Sequence, residues 1–383
     1  MTKKFEEIFG DTQNTKTYFA PGRINLIGEH TDYNGGHVFP CSLSMGTYAV
    51  ARKNPYNAIR FYSMNFDEVG LVTVSMDSLK NDDKRLWVKY PKGVIWEMQQ
   101  KGYQIDSGMD ILYYGDIPHG AGLSSSASIE VLTAFILKDL FDLSISMVDI
   151  ALISQKAENT YVGMNCGIMD QFVIAMGKKE HAVFLDTNNL SYEYVPLKLD
   201  GCKVVIMNTN KKRGLADSKY NERRSQCEAG LELLKTVEIS ALGELSEEEF
   251  EKHKMVIQDE IIRKRVKHAV YENQRTMRAV DALKNNDLEL LGKLMIDSHN
   301  SLRDDYEVTG IELDTLVEAA LKQQGCIGAR MTGAGFGGCA ISIVKEENID
   351  QFIQNIETEY EKIIEYKPSC YVVQTGDGPT VLE

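Results

Sequence analysis

Apolar residues in the first 120 positions fall into short extended runs: TKTYFA (15–20), HVFPCSL (37–43), GTYAVARK (46–53), AIRFYSM (58–64), LVTVSM (71–76) and MDILYYG (109–115). Runs of this length, rich in β-branched and aromatic residues and broken by clusters such as Asp32-Tyr33-Asn34-Gly35-Gly36, predict strands joined by turns. One 3.6-residue pattern interrupts them, with Pro91 in a first turn and Val94, Ile95 and Met98 on one face up to Gly102. Past Gly122 the period changes. Ile129, Leu132, Phe135, Ile136 and Leu140 predict an amphipathic helix over 124–141, and two further helices are expected over 147–161 and 168–176. HAVFLD and KVVIMNTN then read as strands. Long charged amphipathic helices follow over about 217–322, and the chain closes with IGARMTG, CAISIV, a helix over 348–364 and CYVVQT. Helices and strands mix in both halves without a fixed repeat, which predicts an α+β fold rather than a repeating barrel. A chain of 383 residues suits two domains, expected over 1–195 and 196–383.

Charge narrows the partners. Forty-two Lys plus Arg against 56 Asp plus Glu leave a net −14, which repels nucleic-acid backbones and anionic membranes. An anionic small substrate stays possible when a divalent cation shields it. The basic runs Lys211-Lys212-Arg213 and Arg263-Lys264-Arg265 are expected on solvated faces. Seven scattered cysteines without C-x-x-C spacing indicate neither a disulfide framework nor a zinc site. The N-terminus lacks an apolar signal core, and no stretch reaches the roughly 18 to 20 apolar residues of a membrane span. A cytoplasmic protein is expected, so the sequon Asn189-Leu190-Ser191 should stay unused.

Three segments carry candidate chemistry. In Gly120-Ala121-Gly122-Leu123-Ser124-Ser125-Ser126-Ala127, small residues run into a helix start. A serine there could simply cap the helix. Several small residues followed by three hydroxyls favour an anion cradle at the positive end of the helix dipole, although no Walker A sequence is present. Gly333-Ala334-Gly335-Phe336-Gly337-Gly338 matches G-x-G-x-x-G, but a strand follows it instead of a helix, which argues against dinucleotide binding and leaves a glycine-rich turn as an equal alternative. The third, residues 20–32, packs Arg23, Asn25, Glu29, His30, Thr31 and Asp32 into a loop able to read a polyhydroxylated ligand, or to form a solvated turn. Two carboxylates sit in helical contexts: Glu158 after Ala157, and Asp170 in CGIMDQF, where Gly167 is a natural break and the helix dipole alone could account for the acid.

In order, these segments resemble the three motifs of the GHMP small-molecule kinases. GRINLIGEHTDYNGG is similar to the signature of the galactose-phosphorylating branch, and CGIMDQF and RMTGAGFGG fit the same pattern from about Arg23 to Gly338. His37 and His119 depart from it, where apolar residues are more usual. The resemblance implies two α+β domains with the active site in the cleft between them. It implies an enzyme of galactose breakdown, a monomer that uses ATP and Mg²⁺ to phosphorylate D-galactose at the anomeric C1 hydroxyl, giving galactose 1-phosphate and ADP. Asp170 would take the proton with Arg23 beside it, and Glu29, His30, Thr31, Asp32 and Tyr220 would bind the sugar. Ser63 and the loop residues Gly120, Ala121, Gly122, Leu123, Ser124, Ser125 and Ser126 would bind the nucleotide, while Ser126 and Glu158 would hold Mg²⁺. The rival readings are a kinase for a related sugar such as N-acetylgalactosamine or arabinose, and a non-catalytic galactose- and ATP-binding regulator. The intact serine triplet and Asp170 speak against the regulator.

Overall fold

The computed structural model describes residues 1–79, 81, 86–118, 121–211 and 216–382. The expected opening strands form one sheet. Strand β1 (Lys16–Asn25) follows helix α1 (Thr2–Phe9), β2 (His37–Val38) stands apart, and β3 (Pro40–Asn54), β4 (Ala58–Ser63), β5 (Val72–Ser75) and β6 (Gly108–Gly115) complete the run. Helix α2 spans Leu86–Gln100 between β5 and β6. Pro91 therefore lies inside α2 rather than in its first turn, where it cannot donate to the Trp87 carbonyl. The helix reaches back beyond the proline because Trp87 and Val88 are apolar anchors that enter the core.

Helices α3 (Ser125–Leu140), α4 (Met147–Ala157) and α5 (Met169–Met176) pack with α2 over one face of this sheet, α3 lying on β1 and β3. Their small and aliphatic residues join the β1, β3, β4 and β6 side chains in one core. On the other face α1 buries Phe5 and Phe9 against Val50, Tyr62 and Leu112. Neither α1 nor the short strand β8 (Tyr192–Pro196) was foreseen, because each offers only one or two buried side chains among polar ones. Strand β7 (His181–Asp186) pairs with both β2 and β8 in a three-stranded sheet.

The second half builds an antiparallel sheet from β9 (Cys202–Asn208), β10 (Cys326–Thr332), β11 (Cys339–Lys345) and β12 (Ser369–Val372), in the order β10-β11-β9-β12. The nearly continuous apolar runs of β9 and β11 fit strands covered on both faces. Helices α6 (Ala216–Leu233), α7 (Glu247–His253), α8 (Glu260–Lys284), α9 (Leu288–Asp304), α10 (Gly310–Leu321) and α11 (Ile349–Ile364) surround it. The last strand, β13 (Thr380–Leu382), returns to the first sheet and pairs with β1, giving the order β13-β1-β3-β6-β4-β5. A third apolar cluster, holding Ile24, Leu26 and Phe39 from one half and Ile206, Met295 and Ile341 from the other, seals the junction below the cleft.

One surface expectation is corrected. Arg265 is buried, because Nε donates to Gln226 Oε1, Nη1 to the Asp305 carbonyl and Nη2 to Glu307 Oε2, so the guanidinium is satisfied without water. Lys212 and Arg213, like His119 and Gly120, lie outside the described residues. His37 stacks on Phe184 at 4.9 Å between ring centroids, which accounts for an aromatic residue there. The seven cysteines are free thiols, and no helix among the described residues is long and apolar enough to cross a membrane.

Candidate active site

Arg23 sits where the β1–β3 register shifts between Pro21 and Arg23, an irregularity that re-aims a side chain at the rim of a sheet. Gly22 permits this. A Cβ there would lie 2.8 Å from the Leu123 carbonyl, so only glycine lets β1 approach the serine loop so closely. The Arg23 N–H donates to that carbonyl, and its Nη1 to the Gly122 carbonyl at 2.6 Å. The rest of the guanidinium forms a fork on Asp170, with Nε to Oδ1 at 2.9 Å and Nη2 to Oδ2 at 2.8 Å. Burial works against the charge on Arg23 most strongly, yet Asp170, Glu29 and Asp32 together hold its pKa above the ordinary value.

Ser124 also donates to Asp170 Oδ2. It occupies the N-cap position of α3 at φ +63° and makes no side-chain cap bond, so the simple capping role is set aside in favour of the carboxylate. A left-handed non-glycine residue at this point is local strain held by its surroundings. Ser125 and Ser126 follow in the first turn of α3, whose N–H groups have no earlier helical carbonyl to bond. Of the remaining loop residues, Gly122 lines the cavity, while Ala121 and Leu123 are buried in the junction core.

The sugar loop follows β1. Asp32 Oδ1 accepts from the Tyr33 N–H at 3.1 Å and Oδ2 from the Met169 N–H at 3.2 Å. Burial, then the neighbouring Asp170 charge, push its pKa up to about 6. Gly167 is more than a helix break: a Cβ there would overlap the Asp32 carboxylate. His30 donates from Nε2 to the Ala334 carbonyl at 3.2 Å, and its Nδ1 accepts from Tyr33 Oη at 2.8 Å. Burial pushes its pKa down to about 3, so the ring is neutral. Tyr220 comes from α6 and stacks at a tilt 5.5 Å from His30. Thr31 faces away from the cavity, donating to the Gly28 and His37 carbonyls and shaping the loop.

Arg23, Glu29, His30, Asp32, Ser124, Ser125, Ser126, Glu158, Asp170 and Tyr220 line one cavity of about 150 Å³. At its floor α4 passes into a π-helical turn (Glu158–Val162) that re-aims Glu158, a feature enriched at functional sites. Ser126 hydrogen-bonds Glu158, and burial followed by the Asp170 charge raises the Glu158 pKa. Sequence reasoning missed two partners. Gln171 Nε2 donates to Glu158 Oε2 at 2.6 Å and to Glu130 Oε2 at 3.1 Å, and Glu130 is wholly buried. The signal for Glu130 was its position one turn after Ser126 on the same helix face.

Ser63 lies in a second cavity of about 280 Å³, with Thr47, Asn65, Phe66, Trp87, Tyr90 and Tyr113. Phe66 and Trp87 stand parallel there, at 3° between ring planes. The Trp87 Nε1–H is buried without an acceptor among the described residues. Ser125 and Ser126 line both cavities, so the helix start is the wall they share. An aromatic-lined cavity, a helix terminus with free N–H groups and an acid-lined cavity thus stand in sequence.

The chain matches the descriptions "GHMP kinases N terminal domain" over residues 89–178 and "GHMP kinases C terminal" over 279–362, which makes it a GHMP kinase with this arrangement at its site. Residues 3–53 match the "Galactokinase galactose-binding signature". It is 58% identical to the galactokinase of Clostridium acetobutylicum over 379 residues, 99% of this chain and 97% of that one, and 60% identical to that of Clostridium beijerinckii over 94% and 93%. A crystal structure of Lactococcus lactis galactokinase complexed with galactose superposes at TM-score 0.98, with 49% identity and coverage of 100% and 98%. Methanococcus jannaschii mevalonate kinase, at 17% identity and TM-score 0.64 with 95% and 98% covered, shares the fold. The chain belongs to the galactokinase family.

Proposed function

We propose that this enzyme transfers the γ-phosphoryl group of ATP to D-galactose at the anomeric C1 hydroxyl, releasing galactose 1-phosphate and ADP. The observation that carries this reading is the pair of cavities meeting at Ser125 and Ser126, one aromatic and one lined by Asp170, Arg23 and Asp32. A base between aromatic rings and phosphates at the helix terminus would bring the γ-phosphoryl group to Asp170. Asp170 would orient the C1 hydroxyl and receive its proton as the new C1–O–P bond forms and the bond to the β-phosphate oxygen breaks. Arg23, held in a fork on Asp170, is placed to stabilise charge on the transferring group.

Glu29, His30, Asp32 and Tyr220 would bind the sugar, with Thr31 supporting the loop, and Ser63 and the serine loop would bind the nucleotide. A Mg²⁺ ion fits the Ser126 hydroxyl and the Glu158 carboxylate, hard oxygen donors in a pocket whose clustered carboxylates want positive charge. When bound, it would neutralise charge on the phosphates. A monomer acting in the cytoplasm, with domains over 1–195 and 196–383, completes the reading. The deciding experiment is an ATP-coupled screen over monosaccharides including glucose, N-acetylgalactosamine and arabinose, with NMR locating the phosphorylated carbon. Preference for another sugar, or phosphate on a carbon other than C1, would overturn it.

A further inference from the structure

Glu29 is only 1% exposed at the edge of the sugar cavity, and both its oxygens are held by protein. Oε2 accepts from Asn25 Nδ2 at 2.9 Å, while Oε1 accepts from the Gly333 N–H at 2.7 Å and from Arg330 Nη1 at 3.2 Å. Arg330 is wholly buried at the end of β10. It also donates to the Asn25 carbonyl at 3.1 Å, and its Nε donates to Ser298 Oγ at 3.1 Å. Glu272, wholly buried on α8, takes the other side of the loop: its Oε1 accepts from the Gly28 N–H at 3.0 Å, the Glu29 N–H at 3.4 Å and Ser298 Oγ at 2.5 Å. One turn earlier, His268 Nε2 donates to the Glu29 carbonyl at 3.1 Å. The N–H, carbonyl and carboxylate of Glu29 are thus each gripped by side chains from the second half of the chain, and Arg330, Glu272 and His268 do not line the cavity themselves.

We propose that Glu272 and Arg330 are positioning residues for the sugar: a buried clasp, bridged by Ser298, that sets the pose of Glu29 and through it the affinity for galactose. Burying opposite charges is costly, and holding them together only to join two halves would be served as well by apolar packing of the kind that seals the junction nearby. Their bonds go instead to the loop that carries Glu29: Arg330 reaches the Glu29 carboxylate and the Asn25 and Leu26 carbonyls, and Glu272 the Gly28 and Glu29 N–H groups. Burial pushes the Glu272 pKa up, yet Arg275, His268 and Arg330 beside it bring it down to about 2, so the carboxylate is ionised at neutral pH. None of the clasp reaches the aromatic cavity, so the effect should fall on the sugar and not on the nucleotide.

The inference rests on galactose being the substrate. Arg330→Lys, Glu272→Gln and the milder Ser298→Ala are assayed with galactose and ATP varied separately, together with the rise in Tm that galactose induces. The galactose KM should climb about tenfold in the first two variants, equivalent to about 1.4 kcal/mol, and less in Ser298→Ala. Turnover and the KM for ATP should stay near wild type, and the galactose-induced Tm rise should shrink in the same order. An unmoved galactose KM in folded variants overturns the clasp, as does an equal loss of turnover and of affinity for both substrates, the mark of general damage. Should the charge variants not fold, an unmoved galactose KM in Ser298→Ala overturns it alone. Wild-type protein inactive on galactose would sink the substrate reading and the clasp with it, whereas active wild type with unmoved variants sinks only the clasp.

Discussion

Replacing Asp170 by Asn tests the reacting centre most directly. The carboxylate accepts three bonds, two from the Arg23 fork and one from Ser124. An amide keeps the shape but can accept on one side only, so at least one donor loses its partner. The Arg23 side chain is 5% exposed while that of Asp170 is 29% exposed, so water screens part of the loss. A charge-assisted bond in such a half-open setting is worth about 1 to 2 kcal/mol, too little to unfold the chain. Loss of a positioned base costs about 10² to 10⁴ in rate, which is about 3 to 5 kcal/mol in barrier height at 1.36 kcal/mol per tenfold. The catalytic effect should therefore exceed the structural one. Thermal unfolding, galactose binding by calorimetry and single-turnover phosphorylation separate the two: a folded variant with galactose affinity near wild type and turnover down at least about a hundredfold. Turnover within about tenfold of wild type would refute Asp170 as the proton acceptor.

Asp32 should give kcat/KM for galactose an acidic limb near pH 6. Its carboxylate, facing Asp170 and Glu29 as well as Arg23 and Arg224, accepts sugar hydroxyls most strongly when ionised, so activity rises as pH climbs through that value. An Asp32→Asn profile with the same limb would assign it elsewhere. Gly167→Ala should push the Asp32 carboxylate aside, off the Tyr33 and Met169 N–H groups, and raise the galactose KM about tenfold or more with some loss of Tm, and an unchanged KM would show that the loop yields at no cost. Trp87→Phe keeps an aromatic face but loses area and the indole N–H. Base stacking on aromatics is worth about 1 to 3 kcal/mol, so the ATP KM should rise several-fold with the galactose KM unmoved. Equal shifts for both substrates would remove Trp87 from the nucleotide site.

Much of the chemistry was legible because it is written in neighbours. Small residues followed by Ser124, Ser125 and Ser126 must sit at a helix start, and a loop dense in Asn25, Glu29, His30 and Asp32 is polar enough to read a ligand wherever it lands. Strand and helix periods likewise placed most elements. Contacts between distant residues were decided by tertiary structure. Arg23 meets Asp170 across 147 positions, and Glu29 meets Arg330 across 301. The role of Gly167 as room for Asp32, the aromatic cavity around Trp87 and the burial of Arg265 depend in the same way on which surfaces pack together. Periodicity records which face of an element is apolar, since that face must leave water. Which buried donor answers which buried acceptor is settled only when the packed halves bring them within about 3 Å, and no local pattern carries that distance.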